Sequence, residues 1–259
     1  MTRYNLSFAG AGRVAGALCT EMHHRGMKIS RIVSESDSNG KPLAYRCNAS
    51  WSAELTFDDT TDIIIVAVPD HKLKDILFNI KCPENIVVAH TAGSFGLEVF
   101  PLCIKNKGIF YPLQTFSKDR AINFDGLPIL IEASDDYTGD MLKKLALSIG
   151  GEVHFVDTER RKMIHLAAVF VCNFTNHMLN AGEEIALKAG LNINILKPLI
   201  NETIFKALEN GPEVSQTGPA VRNDLITIKK HLKLLSFSPE LQDVYRKVTY
   251  SIMKHHKTG

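Results

Sequence analysis

Hydrophobic positions along the first 155 or so residues fall in short runs that alternate with helix-like stretches. Residues 4–9 and 29–34 read as strands, and residues 13–25 as the helix between them, with Val14, Ala17, Leu18 and Met22 recurring near helical spacing. The strongest strand signal covers residues 62–68, where Ile63-Ile64-Ile65-Val66 leaves no polar face. A β-branched run of that kind suits a strand covered on both sides in a parallel sheet. Further strands are predicted at 54–57, 86–89, 108–111, 128–132 and 152–156, with helices at 43–48 and 137–149. Such alternation means a doubly wound α/β sheet.

Beyond Asp157 the pattern changes. Residues 158–188 read as one long helix, followed by helices at 193–210 and 239–255, with no convincing strand. The shift predicts a boundary near 153–158, dividing the chain into a sheet domain (1–155) and an all-helical domain (156–259). The apolar stretch 166–171 on the long helix suggests a buried segment, one that crosses between subunits.

The turn Gly10-Ala11-Gly12-Arg13-Val14-Ala15 directly follows the first strand and opens a helix. That is the context a dinucleotide-binding fingerprint requires, and it makes the first domain a Rossmann-like one. Gly10 would permit the tight turn, Gly12 the approach of backbone to a pyrophosphate, and Ala15 and Gly16 close packing of helix on sheet. Free amides at the helix start, with Arg13 and Val14, would then face the phosphates.

The end of the second strand bears on the choice of nicotinamide cofactor. An acidic residue there binds a ribose 2′-hydroxyl, whereas basic or hydroxyl groups accommodate a 2′-phosphate. Glu35 favours NAD, while Ser34, Ser36 and Lys41 are groups that would accept NADP. Val68-Pro69 and Thr91 lie at the same carboxyl edge of the sheet and complete the expected cofactor set. Asp70 is expected to cap the helix that starts at His71.

Composition narrows the remaining chemistry. With 30 basic and 28 acidic residues the formal net charge is +2, too small to recruit nucleic acid or a membrane surface. The basic run at 160–162 reads as a solvated helix end. Five cysteines with no close pair in sequence argue for free thiols, and no His/Cys/acid cluster has metal-ligand spacing. There is no apolar stretch long enough to span a bilayer, and residues 6–19 fail as a signal segment because Arg13 interrupts them. A cytoplasmic location is the expectation.

Three segments look chemically loaded outside the cofactor set. Residues 111–117 mix Tyr111, Gln114, Thr115 and Ser117 after a strand. On the long helix, His165, Val169, Cys172 and Asn176 share a face by 4-3-4 spacing, with Asn173 beside it. Histidine is the natural proton donor for carbonyl or imine reduction near neutral pH. In residues 216–224, Thr217 is suited to capping and Arg222 to holding a substrate carboxylate through paired hydrogen bonds.

These motifs taken in order are Gly-x-Gly-x-x-Ala, Val-Ala-Val-Pro-Asp, His-Thr-Ala-Gly-Ser, Tyr-Pro-Leu-Gln-Thr-Phe, His165-Leu-Ala-Ala-Val-Phe and Thr-Gly-Pro-Ala-x-Arg. Over nearly the whole chain they resemble an uncharacterised family of Rossmann-like NADP oxidoreductases with a helical C-terminal domain of unknown function. More distantly the layout is similar to pyrroline-5-carboxylate reductase, 3-hydroxyacid dehydrogenases and ketopantoate reductase. The resemblance implies NADP, reduction of C=O or C=N, and homodimers paired through the helical domain. Two positions depart from that family: Tyr111 stands where it usually has histidine, and Ser34-Glu35-Ser36 where it often has Ser-Arg-Ser.

The leading expectation is hydride transfer between NADP or NAD and a small carbonyl or imine acid, in a cleft between the domains. Gln114, His165, Asn173 and Arg222 form the expected catalytic set, with His165 the acid. The rival expectation, from another class, is a non-catalytic dinucleotide sensor.

Overall fold

In the computed structural model, which describes residues 4–117 and 120–256, the first part of the chain alternates strand and helix. It runs β1 (Asn5–Ala9), α1 (Arg13–His24), β2 (Lys28–Val33), α2 (Asp37–Arg46), β3 (Ser50–Ser52) and β4 (Ile63–Val66). There follow α3 (Asp70–Asn79), β5 (Val87–His90), β6 (Lys107–Pro112), β7 (Pro128–Ala133), α4 (Asp136–Ser148) and β8 (Glu152–Phe155). The strands make one eight-stranded sheet in the order β3-β2-β1-β4-β5-β6-β7-β8. Every pairing is parallel except β6 with β7.

The order follows from the hydrophobic pattern. All four residues of β4 are buried, and alternate side chains enter two separate cores. Ile63 and Ile65 join Leu6, Phe8, Leu18 and Leu142 on one face; Ile64 and Val66 join Leu73, Leu77, Val88 and Phe100 on the other. Only a strand inside a sheet with both faces covered can bury successive residues this way.

The remainder is helical: α5 (Thr158–Ala168), a π-helical segment Val169–Phe174, α6 (Thr175–Lys188), α7 (Lys197–Asn210), α8 (Pro212–Ser215), α9 (Leu225–Leu234) and α10 (Pro239–His256). The chain divides into two compact units, Met1–Asn173 and Phe174–Gly259. The sheet ends with β8, near the expected boundary, but the first unit keeps α5 as well.

Several local expectations need correcting. The third strand is Ser50–Ser52, while residues 54–57 carry only an isolated bridge from Thr56 to Lys81. The second helix begins at Asp37 rather than Leu43, and Pro42 sits inside it. Helix α9 has no counterpart among the helices the pattern predicts; Asp224, not Thr217, caps it by accepting from the Thr227 N–H at 3.0 Å. In the long helix, the π-helical segment replaces i→i+4 by i→i+5 bonding, so the 4-3-4 stripe does not run through residues 169–174. Within this single chain its apolar side chains are exposed, Phe170 at 59% and Val171 at 74%.

Candidate functional site

The glycine turn has the tight geometry its spacing predicts at Gly10, and Gly12 stands at the start of the helix that follows. Gly10 has φ +113°, and a β-carbon there would lie 2.2 Å from the Ala67 carbonyl oxygen. Its N–H donates to the Val33 carbonyl at 2.7 Å, tying the turn to the end of β2. Gly12 is the N-cap of α1, which has no side-chain cap and no acidic residue in its first turn. A β-carbon on Gly12 would meet no protein atom within 4 Å. Packing inside the chain therefore does not call for glycine there; open backbone beside unsatisfied helix amides is what an entering phosphate group requires. Ala15 and Gly16 differ. Nothing lies within 4 Å of a β-carbon placed on Gly16, so of these two positions Ala15 is the one that packs closely.

A cavity of about 350 Å³ opens beside this turn. Its lining takes in Gly10, Ala11, Gly12, Ser34, Glu35, Ser36, Val68 and Pro69, eight of the residues expected to hold a cofactor. Arg13 instead lines a neighbouring cavity of about 610 Å³ with Arg46 and Arg120. Val14 packs against the core, and the Thr91 N–H donates to the Val66 carbonyl at 3.1 Å; neither lines the first cavity. The Glu35 carboxylate accepts from Lys72 Nζ at 2.5 Å, so its charge is partly balanced from α3. The Ser34 hydroxyl accepts from Trp51 Nε1 at 3.1 Å and donates to the Ser36 carbonyl at 2.9 Å.

Asp70 does not cap α3. Pro69 is the N-cap, and the Asp70 carboxylate accepts from the Ser94 hydroxyl at 2.5 Å. This bond joins the end of β4 to the loop after β5, where His90 is fully buried and stacked on Phe100. His90 Nδ1 accepts from the Ala92 N–H at 3.2 Å and Nε2 faces the Gly96 carbonyl at 3.5 Å. Burial pushes His90 down to about 4, so the ring is neutral and pins the loop from both ends.

That loop carries Gly93 up to two side chains from distant segments. The Tyr111 hydroxyl on β6 and His165 Nδ1 on α5 are 2.9 Å apart, with the rings edge to face. Both residues are half-buried. Burial, with neighbouring Asp70, raises the Tyr111 phenol above its ordinary value, which keeps it protonated at neutral pH. Among the described residues, His165 Nε2 has no hydrogen-bond partner. One imidazole nitrogen is thus occupied and oriented, and the other is available.

Arg161, one turn before His165, contradicts the solvated reading of the basic run. It is fully buried. Its Nη1 donates to the Glu132 carboxylate, and its Nη2 donates to the Phe95 carbonyl at 2.5 Å. The Thr158 hydroxyl donates to the same carboxylate at 2.9 Å. The sequence marks Tyr111 as part of a polar segment but not as the partner of His165, and it does not mark Arg161 as a site residue, because their partners are far along the chain.

Among the described residues, neither Gln114 nor Asn173 hydrogen-bonds to Tyr111 or His165. Gln114 is exposed and its own carboxamide oxygen accepts from the Thr115 N–H at 2.8 Å. Asn173 is exposed within the π-helical segment. Arg222 belongs to the second unit, exposed on a turn that needs positive φ at Gly218 and Asn223. Among the described residues no group of three or more His, Cys, Asp or Glu side chains is placed to hold a metal ion. No helix is long and apolar enough to cross a membrane, among those described.

Residues 1–114 match a Rossmann-like domain and residues 127–252 match a domain of unknown function, DUF2520. Among solved structures, a putative NADP oxidoreductase from Bacteroides fragilis is 34% identical, with 97% of this chain and 98% of that one covered, at a TM-score of 0.88. A protein from Thermotoga maritima is 20% identical over 98% of both chains, at a TM-score of 0.70. A reductive aminase from Aspergillus terreus, in complex with NADPH and ethyl-5-oxohexanoate, is 12% identical at a TM-score of 0.70. It covers 98% of this chain and 95% of its own, a likeness of fold alone. No curated protein sequence matches.

Proposed function

The chain belongs to the family that joins a Rossmann-like domain to the helical domain DUF2520, and on that premise we propose that it is an NAD(P)-dependent oxidoreductase acting on a small carbonyl or imine acid. The observation that carries this reading is the 2.9 Å contact between Tyr111 and His165, held beside Gly93 in the same unit as the glycine turn.

Gly10, Ala11 and Gly12 would hold the pyrophosphate, and Ser34, Glu35, Ser36, Val68 and Pro69 the adenosine end. A bound nicotinamide supplies or accepts the hydride. The protein's own part is the proton. In its acid form His165 carries protons on both nitrogens: Nδ1–H donates to the Tyr111 oxygen, and Nε2–H passes to the carbonyl oxygen or imine nitrogen as the hydride arrives. Transfer leaves a neutral imidazole still held by Tyr111. Positioned acids of this kind contribute on the order of a hundredfold or more to rate.

The test has two parts. Titration with NADP and NAD measures cofactor affinity, and a panel of small oxo acids and cyclic imine acids is screened for reduction by nicotinamide absorbance. His165→Ala should leave dinucleotide affinity intact and lower turnover on the order of a hundredfold. Unchanged turnover removes His165 from the role; dinucleotide binding with no transfer to any acid favours the sensor reading instead.

Two copies would pair through the second unit, whose helices expose Phe205, Leu208, Ile226 and Leu234. Apolar surface of that extent supports a protein partner. Light scattering should report the mass of two chains, and Leu208→Glu should shift it toward one.

A further inference from the structure

We propose that Arg161 is the positioning residue of the Tyr111–His165 pair, fixing the rotation and depth of α5 so that the imidazole meets the phenol. This rests on the proton-transfer reading above. Arg161 and His165 are four residues apart on α5, hence stacked on one face of the helix. The Arg161 guanidinium reaches Glu132 on β7 and the Phe95 carbonyl in the loop after β5.

Both anchors belong to the frame that also holds His165's neighbours. In the antiparallel pairing of β6 with β7, Glu132 opposes Ile109 and Leu130 opposes Tyr111. Glu132 and Tyr111 therefore project from the same face of adjacent strands, two positions apart in register. Phe95 lies two residues beyond Gly93, whose backbone abuts the His165 ring. One buried cation thus references the helix to the strand that presents Tyr111 and to the loop that presents Gly93.

Arg161 is wholly buried, its partner Glu132 is mostly buried, and its Nε has no hydrogen-bond partner among the described residues. A buried pair with one donor unsatisfied is poor material for stability, because desolvation offsets most of the attraction; apolar residues of similar size often serve as well. What such a pair does supply is geometric: a planar fork accepts partners in few directions.

Nitrogen-resolved NMR of the His165 imidazole in the full chain tests this without any substrate. Tyr111→Phe supplies the signature of the ring lacking its partner. Arg161→Met is expected to stay folded, by a cooperative melt, and to move the His165 nitrogen signals to the Tyr111→Phe positions. Arg161→Lys, which keeps the charge but not the fork, should restore them only in part. If Arg161→Met does not fold, the charge-free double variant Arg161→Met/Glu132→Leu or Arg161→Lys is read in its place. Wild-type His165 signals in a folded Arg161 variant overturn the positioning role. If Tyr111→Phe itself leaves the signals unmoved, the pair is absent, and the proton-transfer reading fails along with the inference.

Discussion

A β-carbon on Gly93 would stand 2.7 Å from Nδ1 of His165 and 3.1 Å from Cζ of Tyr111, so the lack of a side chain at Gly93 is what lets the two rings meet. The constraint is steric, since Gly93 is not among the positive-φ glycines. Gly93→Ala should therefore fold but push the imidazole off the phenol. Misplacing a reacting group by about an ångström can cost on the order of a hundredfold in rate. Turnover should fall by that order while dinucleotide affinity, measured by titration, stays within about twofold. A Gly93→Ala protein with wild-type turnover would show that the contact has no catalytic weight.

Gly10 and Gly12 are two residues apart and should fail in opposite ways. At Gly10 alanine meets both a left-handed backbone and the Ala67 carbonyl at 2.2 Å. Gly10→Ala should cost about 2 kcal/mol or more of stability, visible as a lowered Tm. At Gly12 alanine meets nothing within 4 Å, so Tm should hardly move. The added methyl would instead stand where a pyrophosphate approaches, and NADP and NAD affinity should fall together by tenfold or so. Equal losses of Tm in the two variants would contradict this division of labour.

How much of this was legible in the chain depends on how local the cause is. The buried run Ile63–Val66 and the Gly10–Gly12 turn declare themselves because their causes, two covered faces and an αL position before a helix, leave marks within a few residues. Ser50–Ser52 left no such mark; three residues at the edge of a sheet carry too little alternation to be told from a loop. Arg161 sits in Glu159-Arg160-Arg161-Lys162, where charge alone predicts solvent, and only the fold brings Glu132 to it from 29 residues away. Tyr111 and His165 are 54 residues apart, so His165 could be singled out as a candidate acid but not its partner. Gln114 shows the converse: a polar residue in the right segment whose hydrogen bond is satisfied within its own turn.

His90 gives the fold a pH dependence of known sign. Burial lowers its proton affinity from 6.5 in the unfolded chain to about 4 in the folded one. Between those values the unfolded chain binds the extra proton, so stability is complete above pH 6.5 and declines as the pH falls toward 4. The full loss amounts to about 3 kcal/mol. Chemical denaturation at pH 7 and pH 4.5 should show it, and His90→Gln should reduce the difference even if it is less stable at both. An identical pH slope in that variant would mean that other groups set the acid limb.

The cofactor preference turns on Glu35 and Lys72. The carboxylate lies in the cavity wall that the proposed reading gives to the adenosine ribose, yet Lys72 Nζ is 2.5 Å from it, so any repulsion of a 2′-phosphate there is already reduced. Both side chains are well exposed, which keeps the attraction between them weak. Glu35→Ser removes the anion and leaves Lys72 to face the phosphate; the NADP-to-NAD affinity ratio should rise roughly tenfold, about 1.4 kcal/mol. Lys72→Ala should act in reverse, exposing the full charge of Glu35 and lowering the ratio. Because both effects are electrostatic and near the surface, both should shrink as ionic strength rises toward 1 M, where the screening length falls to about 3 Å. Titrations in which neither variant moves the ratio would place the 2′-position away from this pair.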